Sequence, residues 1–191
     1  MDADLHLVRF MLERAHDFEW SLQGFGMFRL YLSREMRLHV WDFRFAAADV
    51  TTLHTHPWDF LSTVISGRIT DRVYREISSH PKTHMRQRIV CGPGGCATDD
   101  PPEPVCLQPY REDTFQRGQW YRLSAKQIHE SIPAPGTITL IRRWFGEDTE
   151  HAHVFYPVGK KWVSAEPRKA TGDEISNMRE LALSRLAQEL R

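Results

Sequence analysis

Three side chains able to bind a transition metal crowd into His54-Thr55-His56-Pro57-Trp58-Asp59. Along an extended strand, residues two apart point to one face, so His54 and His56 can offer two imidazoles to one ion from a single stiff segment. Pro57 removes a ladder donor and permits a bulge, which can swing Asp59 toward the same point. Imidazoles with a carboxylate suit Fe(II), Mn(II), Ni(II), Cu(II) or Zn(II), and the lack of a cysteine in this cluster disfavours a Cys-rich structural zinc site. A further imidazole has to come from elsewhere. Of the ten histidines, His129 is the best placed: a turn at Gly118 opens a strand in which Tyr121 and Leu123 alternate, and the histidine follows a short loop.

Other residues could serve a substrate beside such an ion. Arg68, Arg72 and Tyr74 follow the histidine pair, and Arg142 and Arg143 are adjacent on a late strand, where alternation sends one inward and one outward. An inward arginine matches a carboxylate or phosphate with two parallel hydrogen bonds. We assign Arg68, Arg142 and Trp58 to substrate binding, and Asp59 and Tyr74 to acid, base or orienting roles. The second pair, His151-Ala152-His153, sits among Glu147, Asp148 and Glu150 and reads as solvated surface; His80 and His84 read as an exposed turn. Cys91 and Cys96 are spaced too widely for a zinc knuckle, and together with Cys106 they read as reduced loop thiols.

The elements that must hold these groups are mainly strands. Leu5, Val8, Leu12 and Ala15 recur at helical spacing, predicting a short amphipathic helix from Asp4 that ends before Gly24. Residues 25–45 read as two strands joined at Ser33-Arg34-Glu35, and strands are expected over 50–56, 61–66, 69–77, 119–123 and 137–145. Between residues 78 and 117 the chain is rich in Pro and Gly and reads as a loop insertion, with 85–91 the one strand-like part. From Thr171, Ile175, Met178, Ala182, Leu186 and Leu190 share a helical face behind a capping box, Thr171 to Glu174, giving a C-terminal helix over about 172–191.

Composition narrows the partners. At 191 residues the chain is sized for one domain, able to bury roughly 70% of its unfolded surface without disulfides or structural metal. The 25 Lys and Arg balance 25 Asp and Glu, and no basic run supplies the footprint of a nucleic-acid binder. No apolar run approaches the ~18 to 20 residues of a membrane span, and the start is acidic where a secretory signal is basic. The expectation is a cytoplasmic protein acting on a small molecule, with neither nucleic acid nor membrane as partner.

These residues resemble the cupin superfamily, whose first motif has the form G-x5-H-x-H-x(3,4)-E-x6-G and whose second has the form G-x5-P-x-G-x2-H-x3-N. His54, His56 and Gly67 match the first, and Gly118 and His129 match the second at the right spacing. The family's glutamate would fall at Phe60 or Leu61, so Asp59 becomes either a shifted ligand or a partner of a ligand; Ser124-Ala125-Lys126 replaces the second motif's Pro and Gly. The resemblance covers about residues 25–145. It implies a single cupin domain, an antiparallel jelly-roll barrel over about 25–165 with a short helix at each end, and one divalent ion on His54, His56 and His129. It also makes a homodimer reasonable. Three imidazoles leave positions open for dioxygen and a chelating substrate. The expected activity is therefore that of a non-haem Fe(II) dioxygenase acting on a small polar or aromatic molecule. Alternatives are an isomerase or decarboxylase with Zn, Mn or Ni, or a non-catalytic metal- or ligand-binding cupin.

Overall fold

A computed structural model describes residues 2–78, 81–92, 95–98, 100–146, 151–164 and 166–189. The chain opens with helix α1 (Asp2–Glu13) and continues as strands β1 (Ser21–Gln23), β2 (Phe25–Tyr31), β3 (Met36–Ala46), β4 (Asp59–Ser66) and β5 (Arg68–Glu76). Next come β6 (His84–Gly92), β7 (Gly95–Ala97), β8 (Glu103–Val105), β9 (Leu107–Gln116) and β10 (Trp120–Leu123). The remaining elements are β11 (Ile128–Pro133), β12 (Ile138–Trp144), β13 (Ala152–Pro157), β14 (Arg168–Lys169) and helix α2 (Gly172–Glu189). The protein is mainly β, and its paired strands are antiparallel.

One sheet of seven strands runs in the order β10-β4-β12-β3-β2-β1-β14. Alternation gives it two unlike faces. Phe28 and Leu30 of β2, Leu38 and Val40 of β3, and Ile138 and Leu140 of β12 are buried against Val8 and Leu12 of α1 and Ile175, Met178, Ala182 and Leu186 of α2. The intervening residues, among them Met27, Trp41 and Ile141, turn the other way and pack on Ile69 and Val73 of β5. Both helices therefore cover one face and leave the opposite face to line an interior. The predicted helical stripes are the ones buried. Thr171 and Glu174 form the expected capping box, the Glu174 N–H donating to Thr171 Oγ1 at 3.3 Å and the Thr171 N–H to Glu174 Oε2 at 2.9 Å. Leu190 lies outside the described residues.

Opposite the large sheet lie the trio β11-β5-β9 and the group formed by β13, β6, β7 and β8. They are joined through the extended segment around His54, which bridges His129 on one side and Val154 on the other. Reciprocal bonds between the backbones of His54 and His129, both 3.0 Å, make the first bridge. The segment predicted as a strand over 50–56 thus pairs only at single residues. Pro57 has no N–H to extend the ladder, and the segment exchanges its bonds with two different strands.

Two further expectations change. Residues 78–117 are not a loop insertion: β6 and β9 are nine- and ten-residue strands, and β9 follows β5 from Arg68↔Gln116 to Glu76↔Leu107. An edge position explains the disguise, since Pro109 sits at the register shift of an edge strand, where a missing N–H costs no ladder bond. Cys91 and Cys96 are register partners across β6 and β7, and Cys106 is a buried free thiol. The pair His151-Ala152-His153 leads into β13, paired along β6, so it is not a loop. Glu147, Asp148, Glu150 and His80 lie outside the described residues. Gly67, at the β4–β5 turn, has φ +79°, and a Cβ there would stand 2.7 Å from Thr137 Oγ1. The turn at Gly118 likewise takes φ +82°. Both conformations favour glycine. No helix is long and apolar enough to cross a membrane among the described residues.

Candidate metal centre

The two layers enclose a cavity of ≈ 1140 Å³, and His54, His56 and His129 all line it. Each offers one ring nitrogen, and these atoms lie within 4.8 Å of one another. The short extended segment supplies the first pair, and β11 the third. His54 Nδ1 lies 2.7 Å from the carbonyl of Thr52, which can only accept, so that nitrogen carries the proton and Nε2 has a lone pair. His129 Nδ1 stands 2.7 Å from Asp71 Oδ1, which fixes the same tautomer, and its buried Nε2 has no hydrogen-bond partner. The His54 and His56 Nε2 atoms are 3.1 Å apart. Two nitrogens each held at about 2.1 Å from one ion are separated by roughly that distance, so the pair is already at ligating spacing.

Electrostatics keeps the imidazoles available. Burial, followed by the neighbouring His129 ring, pushes His54 down to about 3 against the weaker upward pull of the Thr52 carbonyl. His56 is also pushed well below the usual range, by burial first and then by His54 and His129. Neutral imidazole is the form that binds metal, so no proton has to leave these two rings near neutrality. The buried polar atom without a partner, the matched tautomers and the spacing together fit a divalent ion. Carboxylate–histidine pairing of the kind made by Asp71 orients ligating imidazoles and raises their basicity.

The remaining assignments divide. Trp58 does line the cavity, its indole stacked on the His56 ring with centroids 4.1 Å apart. Asp59 does not join the histidines: its Oδ1 accepts the Ala125 N–H at 2.6 Å and its Oδ2 accepts from Arg122 at 3.2 Å. It anchors the loop leading into β11, while the His56 carbonyl accepts the Lys126 N–H at 2.8 Å from the same loop. Tyr74 donates to Glu130 at 2.8 Å, next to Arg72, and is not among the residues lining the main cavity. Arg68 is exposed beside the Gly67 turn. Arg142 points to the helix side, donating to Asp4 at 2.6 Å, and it is Arg143 that faces inward.

Several residues in and behind the cavity wall escaped the sequence reading. Asp71 lies between Ile69 and Val73 on the inward face of β5, all three nearly inaccessible. A carboxylate at an inward position of an apolar alternation was the available signal. Arg29, Arg37 and His39 likewise occupy cavity-facing positions of β2 and β3. No protein-family model and no curated protein matches the chain.

Proposed function

We propose that the protein is a metal-dependent enzyme of the cupin type, with one divalent first-row ion held by His54, His56 and His129. The observation that carries this reading is the convergence of three imidazoles with two tautomers set from behind, leaving the His129 Nε2 buried and without a partner. Leaving such a group unsatisfied is costly unless something binds it. The antiparallel layers and the two motif glycines at positive-φ turns support the cupin assignment and its jelly-roll barrel.

Fe(II) and dioxygenation of a small polar or aromatic molecule form the leading chemistry. When bound, such an ion supplies open coordination positions and, as Fe(II), redox chemistry with dioxygen. The chain itself supplies the rest. Asp71 and Thr52 hold the imidazoles in place, Trp58 braces His56, and Phe60, Ile141 and Val154 help give the cavity apolar walls that limit water. Among the described residues no carboxylate joins the cluster, which favours a second reading in which Zn, Mn or Ni serves as Lewis acid for an isomerase or decarboxylase. Oxygen uptake after anaerobic loading with Fe(II), across catechol, thiol and keto-acid panels, separates the two. Turnover with Zn(II) and no oxygen uptake selects the Lewis-acid reaction. Metal binding with no turnover in either form leaves a metal-binding module.

A further inference from the structure

Beside the histidines, the cavity has a second polar region of opposite character. Arg29 and Tyr31 of β2, Arg37 and His39 of β3, and Arg143 of β12 all face inward, with Tyr31 opposite Arg37 and Arg29 opposite His39 in the strand register. Arg37 is only 6% exposed, and its Nε has no hydrogen-bond partner. Arg29 Nε donates to Ser21 Oγ at 3.3 Å and Arg143 Nε to the Arg34 carbonyl at 2.7 Å, so both are held by neutral groups.

Among the described residues no carboxylate forms an ion pair with any of these three arginines. Two glutamates line the same cavity. Glu130 is taken by Arg72 and Tyr74, and Glu166 is exposed. Glu35, near Arg143, bonds Ser33. Burial, then the like charge of Arg29, push Arg37 down to about 9, with Tyr31 pulling the other way and Arg143 adding to the fall. A guanidinium stays charged nonetheless, and a buried cation facing other cations is tolerated only where something compensates it. Tyr31 opposite it does so in part, and so does Trp58, with the Arg37 guanidinium carbon 4.5 Å from its ring centroid. That indole also stacks on His56, so it touches both the cationic region and the metal ligands.

We propose that Arg29, Arg37 and Arg143 form an oxyanion subsite, and that the substrate is a small carboxylate or phosphate whose anionic end lies on these arginines and whose other end reaches the histidine cluster. The placement of the reacting end rests on the metal-centre reading above; the subsite itself does not. A planar fork from each arginine suits carboxylate and phosphate oxygens alike.

The probes are benzoate and inorganic phosphate, titrated separately at constant chloride ionic strength into metal-free and Zn(II)-loaded protein, and followed by tryptophan fluorescence and melting temperature. At least one probe raises the melting temperature and perturbs fluorescence in the metal-free protein, and which one responds identifies the anionic group. Arg37→Met weakens that affinity about 10- to 100-fold while leaving Zn(II) stoichiometry unchanged. Should Arg37→Met fail to fold, Arg143→Met, at a partly exposed position, carries the same expectation. His54→Ala loses metal and keeps the anion response. No response to either probe in the wild type, or an unchanged response in the arginine variants, overturns the subsite. An anion response without metal binding in the wild type leaves the subsite standing and removes the metal reading instead.

Discussion

Asp71 holds His129 from behind: Oδ1 accepts the Nδ1 proton at 2.7 Å, with the side chains 1% and 2% exposed. Their strands, β5 and β11, are register neighbours, with Asp71 opposite Ser131 and His129 opposite Val73, so the contact is fixed by the ladder and not by a flexible loop. The effect is to aim the other ring nitrogen into the cavity. Asp71→Asn keeps the shape and removes the charge. It should weaken metal binding by about 10- to 100-fold, the usual cost of losing a carboxylate behind a ligating imidazole. Competition with a chromophoric chelator measures it, and an unchanged affinity would detach Asp71 from the site.

Acid should destabilise the metal-free protein. His39, His54 and His56 are all pushed below their ordinary range, chiefly by burial. Below about pH 6.5 the unfolded chain takes up protons that these folded rings refuse, so stability falls as pH drops toward about 3, where burial holds His54. Each ring contributes up to about 1.4 kcal/mol per pH unit, less to the extent that the cavity admits water. Melting temperatures of metal-free protein between pH 7 and pH 5 check the sign: a decline is expected, and a flat or rising profile contradicts it.

Gly67 and Gly159 make a controlled pair. Both have positive φ, +79° and +82°, but an added Cβ meets Thr137 Oγ1 at 2.7 Å and Thr137 Cα at 3.0 Å at the first and nothing within 4 Å at the second. Gly159→Ala therefore costs only the backbone term, about 1–2 kcal/mol. Gly67→Ala should cost more, because Thr137, at the turn just before β12, has to move as well. Denaturant unfolding of the two variants gives the difference, and equal losses would show that the Thr137 contact relaxes freely.

The C-terminal helix belongs to the core. Met178 is fully buried against the large sheet, so Met178→Ala should destabilise by about 2–5 kcal/mol. Thr171→Ala, which removes one half of the capping box, should cost about 0.5–2 kcal/mol. Thermal or chemical denaturation ranks them, and a Met178 variant no worse than the cap variant would argue that α2 packs loosely.

What could be read from the sequence depended on how strongly one physical signal dominated each segment. The stripe of Val8 and Leu12, the stripe of Ile175, Met178, Ala182 and Leu186, and the alternation in β2 and β3 follow directly from burial on one face. The histidine trio was legible because ligand spacing is a local property of His54 and His56, while His129 was marked by its spacing from Gly118. β9 was hidden because an edge strand with most of its side chains in solvent carries charges and even a proline, and so looks like a loop. Asp59 was misplaced because proximity in sequence said nothing of direction: its carboxylate finds two donors, Arg122 on β10 and Ala125 in the loop that follows it. The arginines were misassigned by parity, since adjacent Arg142 and Arg143 must face opposite ways and only packing decides which. Asp4 on α1 claims Arg142.

Metal content tests directly whether His54, His56 and His129 hold an ion. Untagged protein is stripped with chelator, equilibrated in separate anaerobic samples with Fe(II) and Zn(II), and freed of excess ion before elemental analysis, beside His54→Ala and His129→Ala treated identically. One tightly held ion per wild-type chain is expected, with its loss in both variants, each still folded by circular dichroism. A wild type that retains no ion, or variants that retain as much as the wild type, would contradict it.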